Sequence, residues 1–248
     1  MYRNRIQNTP VKSPGAQSLR DVMLAYHDFQ RASGQQANKE NLDTLSLWQS
    51  QRLKATHRDL YESPDYATGL KFLLSDLYAP QDFSRRDQEL ERVFPKLVKL
   101  LPDSILSTVS RLIELNLLTQ KLDHHLSITH FEVLGFNTIT ELTYCEAYRQ
   151  CNNFDDRKHQ IGLINEVGHK LNRYARSTMI SYSLKLTSHP AEMAGLGSLH
   201  GFIRRGFSAF HTMRDIQGLM QELVHRESRI LNNIANHHPS PFSLTEHS

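Results

Sequence analysis

Two cysteines, one tryptophan, 11 glycines and 9 prolines are all that this chain of 248 residues holds of the types that staple or punctuate a fold. So little cysteine excludes a disulfide framework. Cys145 and Cys151 fall within one expected helix, too far apart along its axis for the short Cα separation a disulfide tolerates, so a reducing compartment is the simpler reading. Sparse glycine and proline exclude collagen-like and low-complexity classes. Neither sign of charge dominates: 29 Lys and Arg stand against 26 Asp and Glu, for a net +3, and this disfavours nucleic acid as a partner. No apolar run approaches the ~20 residues a membrane-spanning helix needs. The start, MYRNRIQNTPVKSPG, has basic residues with no apolar stretch behind them, which argues against a secretory signal and leaves the cytoplasm as the expected location.

What is present is a 39% apolar complement, distributed with helical rather than strand periodicity. Residues 1–17 and 236–248 are polar, proline-bearing and aperiodic, and are expected to be flexible ends. Between them the spacing predicts helices over about 18–32 and 39–61, one opened by Ser63-Pro64, and one from Leu101-Pro102-Asp103-Ser104 to about Leu126. Further helices are expected from Thr138 or Thr140 to Cys151, from Asp155-Asp156 to about Leu186, and over 198–212 and 214–235. No tandem repeat and no long linker divides them. The expectation is an all-α, single-domain bundle of about eight helices over residues 18–235.

Several chemical motifs fail on phase. E-x-x-H occurs twice, at Glu166–His169 and Glu222–His225, the pairing that a di-iron bundle uses, yet both fall on charged faces, and 198–212 holds no acidic residue. LDHHLSITHFE, Leu122 to Glu132, gathers Asp123, His124, His125 and His130, but adjacent histidines on a helix point about 100° apart and the spacing is not that of H-E-x-x-H. GLGSLHG, Gly195 to Gly201, has spacing G-x-G-x-x-x-G with no strand before it, so a tight helix connection is the better account than a dinucleotide loop. Cys145 has no histidine near it in sequence and reads as a buried thiol. No metal and no cofactor are predicted.

The stretch KFLLSDLYAPQDFSRRD, Lys71 to Asp87, packs Phe72, Leu73, Leu74, Leu77 and Tyr78 into one run and follows it with a polar turn. At 100° per residue, Asp76 lands inside the apolar arc, where an unpaired carboxylate is costly to desolvate. Arg85 and Arg86 occupy the first turn of the next helix, against its dipole. These residues are expected to pin a corner: Asp76 or Asp82 bridged by Arg85, Arg86 or Arg92, with Arg52 as a further candidate. The longer run FLLSDLYAPQDFSRRDQELERVFPKLVKLLP, Phe72 to Pro102, resembles the bacterial helical proteins grouped as FFLEELY motif proteins, with Lys71-Phe72-Leu73-Leu74-Ser75 departing from the motif that names them. WQSQRL upstream, and QIGLINEVGHKLNRY and MAGLGSLHGFIRRGFSAFHTM downstream, extend the resemblance. The resemblance implies a helical fold and supplies no catalytic residue.

Polar residues inside apolar stripes are the remaining site candidates. Gln49, Arg52, Asp76, Glu114 and Asn116, with Tyr144 and Arg149 as partners, are expected to converge in one buried network, either structural or lining a pocket. The expected function is a non-enzymatic module that binds a protein or small molecule, with a pocket enzyme carrying a cofactor or metal as the alternative. Self-association stays open.

Overall fold

The structure, a computed structural model, describes residues 2–33, 38–73, 84–178, 180, 182, 186, 188–193 and 196–244. It is 81% helical, with no strand and eight helices of seven or more residues among the described residues, an all-α multi-helix fold as the apolar spacing predicts. In chain order the helices are α1 (Tyr2–Gln7), α2 (Pro14–Ser33), α3 (Lys39–Thr56), α4 (Arg58–Glu62), α5 (Ala67–Phe72) and α6 (Ser84–Leu100). They continue with α7 (Asp103–Ile128), α8 (Glu141–Cys151), α9 (Phe154–Ala175), α10 (Ser188–Met193), α11 (Gly197–His211) and α12 (Ile216–Ala235). A π-helical turn, Thr129–Val133, extends α7.

Four long helices lie side by side in the order α2, α7, α9, α12. α3 rests on α7, α8 spans α7 and α12, and α11 packs on α5, α6 and α9. Three apolar clusters follow from this arrangement. One joins α1, α2, α6 and α7 through Ile6, Leu19, Phe94 and Leu106. A second gathers Leu70, Phe72, Phe210, Ile216 and Leu219 from α5, α11 and α12. The third, Leu45, Leu126, Tyr144, Cys145, Ile230 and Ile234, is the one that meets charge. Close approach of neighbouring elements favours glycine at several places: a Cβ on Gly15 of α2 would meet the backbone oxygen of Asp103 of α7 at 2.5 Å, and one on Gly168 of α9 would collide with Met220 of α12.

Local signals explain most boundaries. Thr140 caps α8 by accepting from Thr143 N, and Asn152 ends it in the left-handed region at φ 50°. Three boundaries differ from expectation. The 39–61 helix is broken at His57, which closes α3 through its N–H to Leu53 O. Ser63-Pro64 starts a turn, not the helix itself, and α5 begins only at Ala67. α9 stops at Ala175, with Arg176 and Ser177 leaving the helix. The described parts of both ends make contacts with the bundle. Ile6 is wholly buried and Asp103 accepts from Gly15 N at 2.7 Å, while Pro241 and Phe242 fold back on α12 and α3. A few apolar residues in each end join the core: Ile6, Val11 and Ala16 in one, Phe242 and Leu244 in the other.

Candidate functional site

Polar and charged groups enter the third core cluster from five helices, α3, α7, α8, α9 and α12, and from His57 between α3 and α4. Gln49 lies four residues after Leu45 on α3, so both turn inward, and both are buried. Its amide Nε2 donates to Asp123 Oδ1 of α7 at 3.0 Å and to the Tyr144 hydroxyl of α8 at 3.4 Å. Arg52, one turn on, donates through Nη1 to Glu227 Oε1 of α12 at 2.6 Å. The same oxygen accepts from His57 Nε2 at 2.8 Å, and His57 is 1% exposed. From α9, Arg157 places Nη1 at 3.9 Å from Asp123, donates Nη2 to Leu122 O at 3.4 Å and lies 4.5 Å over the Tyr148 ring. Aromatic rings close the assembly: Trp48 stacks on Tyr144 at 4.3 Å, and Phe242 sits edge-on to Trp48 and 5.4 Å from the Arg52 guanidinium.

Electrostatics divides these groups sharply. Burial works to raise the Glu227 pKa, but the Arg52 charge and the hydrogen bonds from His57 and Arg52 outweigh it and hold the carboxyl at about 2. Asp123 goes the other way: burial dominates the weaker pull of Arg157 and the Gln49 bond, and its pKa is raised. Burial also raises the phenols of Tyr144 and Tyr148, which therefore stay protonated donors. The Cys145 thiol is pushed up to about 11, again by burial, and Cys151 is raised for the same reason, so neither is a thiolate near neutral pH.

Arg52, Tyr144, Tyr148, Arg157, Gln160 and Glu227, backed by Ile161, Ile230, Leu231 and Ile234, line a cavity of about 40 Å³. Small-molecule sites run to roughly 300 Å³ and more, so no ordinary substrate fits here. A surface hollow of about 460 Å³ takes its lining among the described residues, Lys39, Glu40, Asp43, Thr44 and Leu47, from α3.

Of the residues expected to converge, Gln49, Arg52 and Tyr144 do. Glu114 does not: it faces outward on α7 with Arg111 at 2.7 Å and His159 at 3.2 Å. Asn116 is half-buried elsewhere on α7. Arg149 donates to Ile234 O at 3.3 Å, satisfying a carbonyl near the C-terminus of α12 instead of joining the network. Asp76 and Asp82, and the side chains of Arg85 and Arg86, lie outside the described residues. Arg52 gives its guanidinium to Glu227. Five network members escaped sequence reading: His57, Asp123, Tyr148, Arg157 and Glu227. A signal existed for two of them. Glu227 fills the gap in the stripe Leu219, Leu223, Ile230, Ile234, and Arg157 lies one turn before Ile161 on the buried face of α9.

The rejected motifs land where phase puts them. Glu166, His169 and His225 are exposed, Glu222 pairs with Arg226 at 2.6 Å, and no three metal-ligating groups gather among the described residues. The described part of GLGSLHG, from Leu196, leads into α11, where buried Glu89 of α6 accepts from Leu199 N at 2.7 Å and caps the helix from a neighbouring element.

Compared with known protein families, residues 28–241 match the model described as Domain of unknown function (DUF8198). No curated protein and no solved structure matches the chain.

Proposed function

The chain belongs to that family, and we propose that it is a non-enzymatic helical scaffold which works by engaging a partner protein through its surface. The observation that carries this reading is the closure of its polar network: the charged groups are spent on one another around a space of about 40 Å³. A general acid or base serves best with a pKa near the working pH. Glu227, held at about 2, is a poor candidate for either, and both cysteines are buried thiols. Large apolar side chains meanwhile stand on the surface. Val133 is 63% and Leu142 73% exposed on either side of the loop 134–140.

The same proposal places the described helices in one domain within the cytoplasm. It also keeps the chain's kinship with the FFLEELY motif proteins, which the stretch Phe72–Pro102 supports and of which residues 74–83 lie outside the described residues. Native mass spectrometry with metal analysis, on protein purified from its own cells, tests the reading. A protein partner at fixed stoichiometry, lost from the Val133→Asp, Leu142→Asp double variant, is the expected result. A stoichiometric metal or organic cofactor would overturn it.

A further inference from the structure

We propose that the slot between α3, α8 and α12, filled by the chain's own residues 241–244, is a docking site for a partner protein's proline-led turn of the pattern Ser-Pro-Phe-any-Leu, and that the tail closes it until such a segment displaces it. This rests on the partner-binding reading above and names the partner's chemistry. The tail supplies the template. Phe242 lies edge-on to Trp48 with ring centres 6.0 Å apart, 6.1 Å from the Tyr144 ring and 5.4 Å from the Arg52 guanidinium. Leu244, two residues on, packs against the same apolar cluster. Side chains of α12 hold the tail's main chain: Asn233 Nδ2 donates to Pro241 O at 3.1 Å, and Arg229 Nη1 to Leu244 O at 3.2 Å. An aromatic anchor in a pocket, fixed by hydrogen bonds at its rim, is the anatomy of a recognition site.

The segment is built both to bind and to leave. Ser243 N donates to Ser240 O at 3.2 Å, closing a turn with Pro241 at its second position, where the fixed φ of proline presets the shape and lowers the ordering cost. Residues 236–240, which join this turn to α12, are exposed. Lifting 241–244 away therefore breaks no hydrogen bond of a helix, the condition for cheap local opening. A short connection keeps the tail at a roughly millimolar effective concentration over its slot, which favours it there over the tail of a second copy. A partner wins only by adding contacts, and such contacts are at hand. Leu134 and Ile139, from the loop that exposed Val133 and Leu142 flank, pack against the same cluster as Phe242, so one apolar cluster underlies both slot and patch.

Trp48 is the only tryptophan, so its fluorescence reports the slot. In the full chain, Phe242→Ala should shift that emission and leave far-UV circular dichroism unchanged. A synthetic peptide HPSPFSL, the sequence of residues 238–244, should then restore the parent emission saturably. It should bind the variant about tenfold more tightly than the parent, whose own tail competes. The same peptide with alanine for its phenylalanine should not bind. Absence of saturable binding to the variant overturns the docking site, and equal affinity for variant and parent overturns displacement of the tail. A parent dimer that Phe242→Ala abolishes gives the slot to a second copy and overturns the assigned partner. Should the variant fail to fold, hydrogen exchange on the parent decides: the Ser243 amide should exchange at least about tenfold faster than the interior of α12, and equal protection overturns the proposal. The partner-binding reading fails separately, on a stoichiometric metal or cofactor, whether or not the peptide binds.

Discussion

Arg226 and Glu227 are neighbours in sequence, and both tie α12 to the chain around His57, yet they do so in opposite surroundings. Arg226 makes the better geometry: its Nη1 and Nη2 reach both Asp59 oxygens at 2.7 Å, with Nε on Glu222 at 2.6 Å. Asp59, however, is 63% exposed, so water competes for every bond. Glu227 accepts both of its bonds on a single oxygen, but from Arg52 and His57 inside the bundle. Geometry alone would rank Arg226 first. Burial reverses the order, because removing one member of a buried pair leaves the other desolvated and uncompensated.

The largest expected effect is therefore at Glu227. Glu227→Ala should cost about 3–5 kcal/mol in chemical denaturation, since Arg52 and His57 lose a shared acceptor. A loss below about 1 kcal/mol would make the buried cluster no different from a surface pair and break the comparison.

Acid titration gives the next largest. The folded Glu227 pKa of about 2 lies below its ordinary 4.5, so its stabilisation is complete above the unfolded value and disappears as pH falls through the folded one. The window is pH 5 to 2, and the amount is about 3 kcal/mol, taking 1.36 kcal/mol for each unit. Melting temperature measured across that window should fall less steeply in Glu227→Gln than in the parent. Parallel curves would show that Glu227 is not the group responsible. Asp59 is also lowered, through its hydrogen bonds from Arg226, but its exposure screens the contribution.

Helix periodicity made much of the fold legible in the sequence, because apolar spacing, Thr140 and the Asp155-Asp156 pair act locally. The break at His57 was not legible. Its cause is tertiary: the imidazole is turned inward to reach Glu227, some 170 positions away. Gln49, Arg52 and Tyr144 could be read as site candidates because each interrupts or flanks an apolar stripe. Glu114 and Arg149 share that sequence signal and nonetheless face outward or cap a helix end, since a stripe's edge and its centre differ by a single step of 100°. Glu227 and Arg157 were readable only by noticing a charge in the position where a stripe wants a leucine. The ends were less legible for a different reason: composition is averaged over a segment, whereas a few apolar residues, Ile6 and Ala16 in one end and Phe242 and Leu244 in the other, join the core clusters.

On the surface side, Asp59→Asn should cost about 0.5–1 kcal/mol and lose most of that cost in 1 M salt, where the Debye length is near 3 Å. The Glu227→Ala cost should persist in the same buffer. Salt sensitivity of equal size at both sites would mean that burial does not separate them.

The smallest effect sharpens the comparison from a third direction. Asp123 is buried like Glu227, but its cation is loose, with Arg157 Nη1 at 3.9 Å, and its firmest bond comes from the neutral amide of Gln49 at 3.0 Å. Burial without tight pairing raises its pKa, so the site penalises the protonated form less than the ionised one relative to water. Asparagine imitates the protonated form in shape and still offers Oδ1 to Gln49. Asp123→Asn should accordingly leave stability at neutral pH within about 0.5 kcal/mol of the parent, the range of a substitution that breaks no buried pair. A loss above 2 kcal/mol would show Asp123 to be a working carboxylate counter-charge for Arg157. That outcome would place Asp123 beside Glu227 as a buried carboxylate held by its cation.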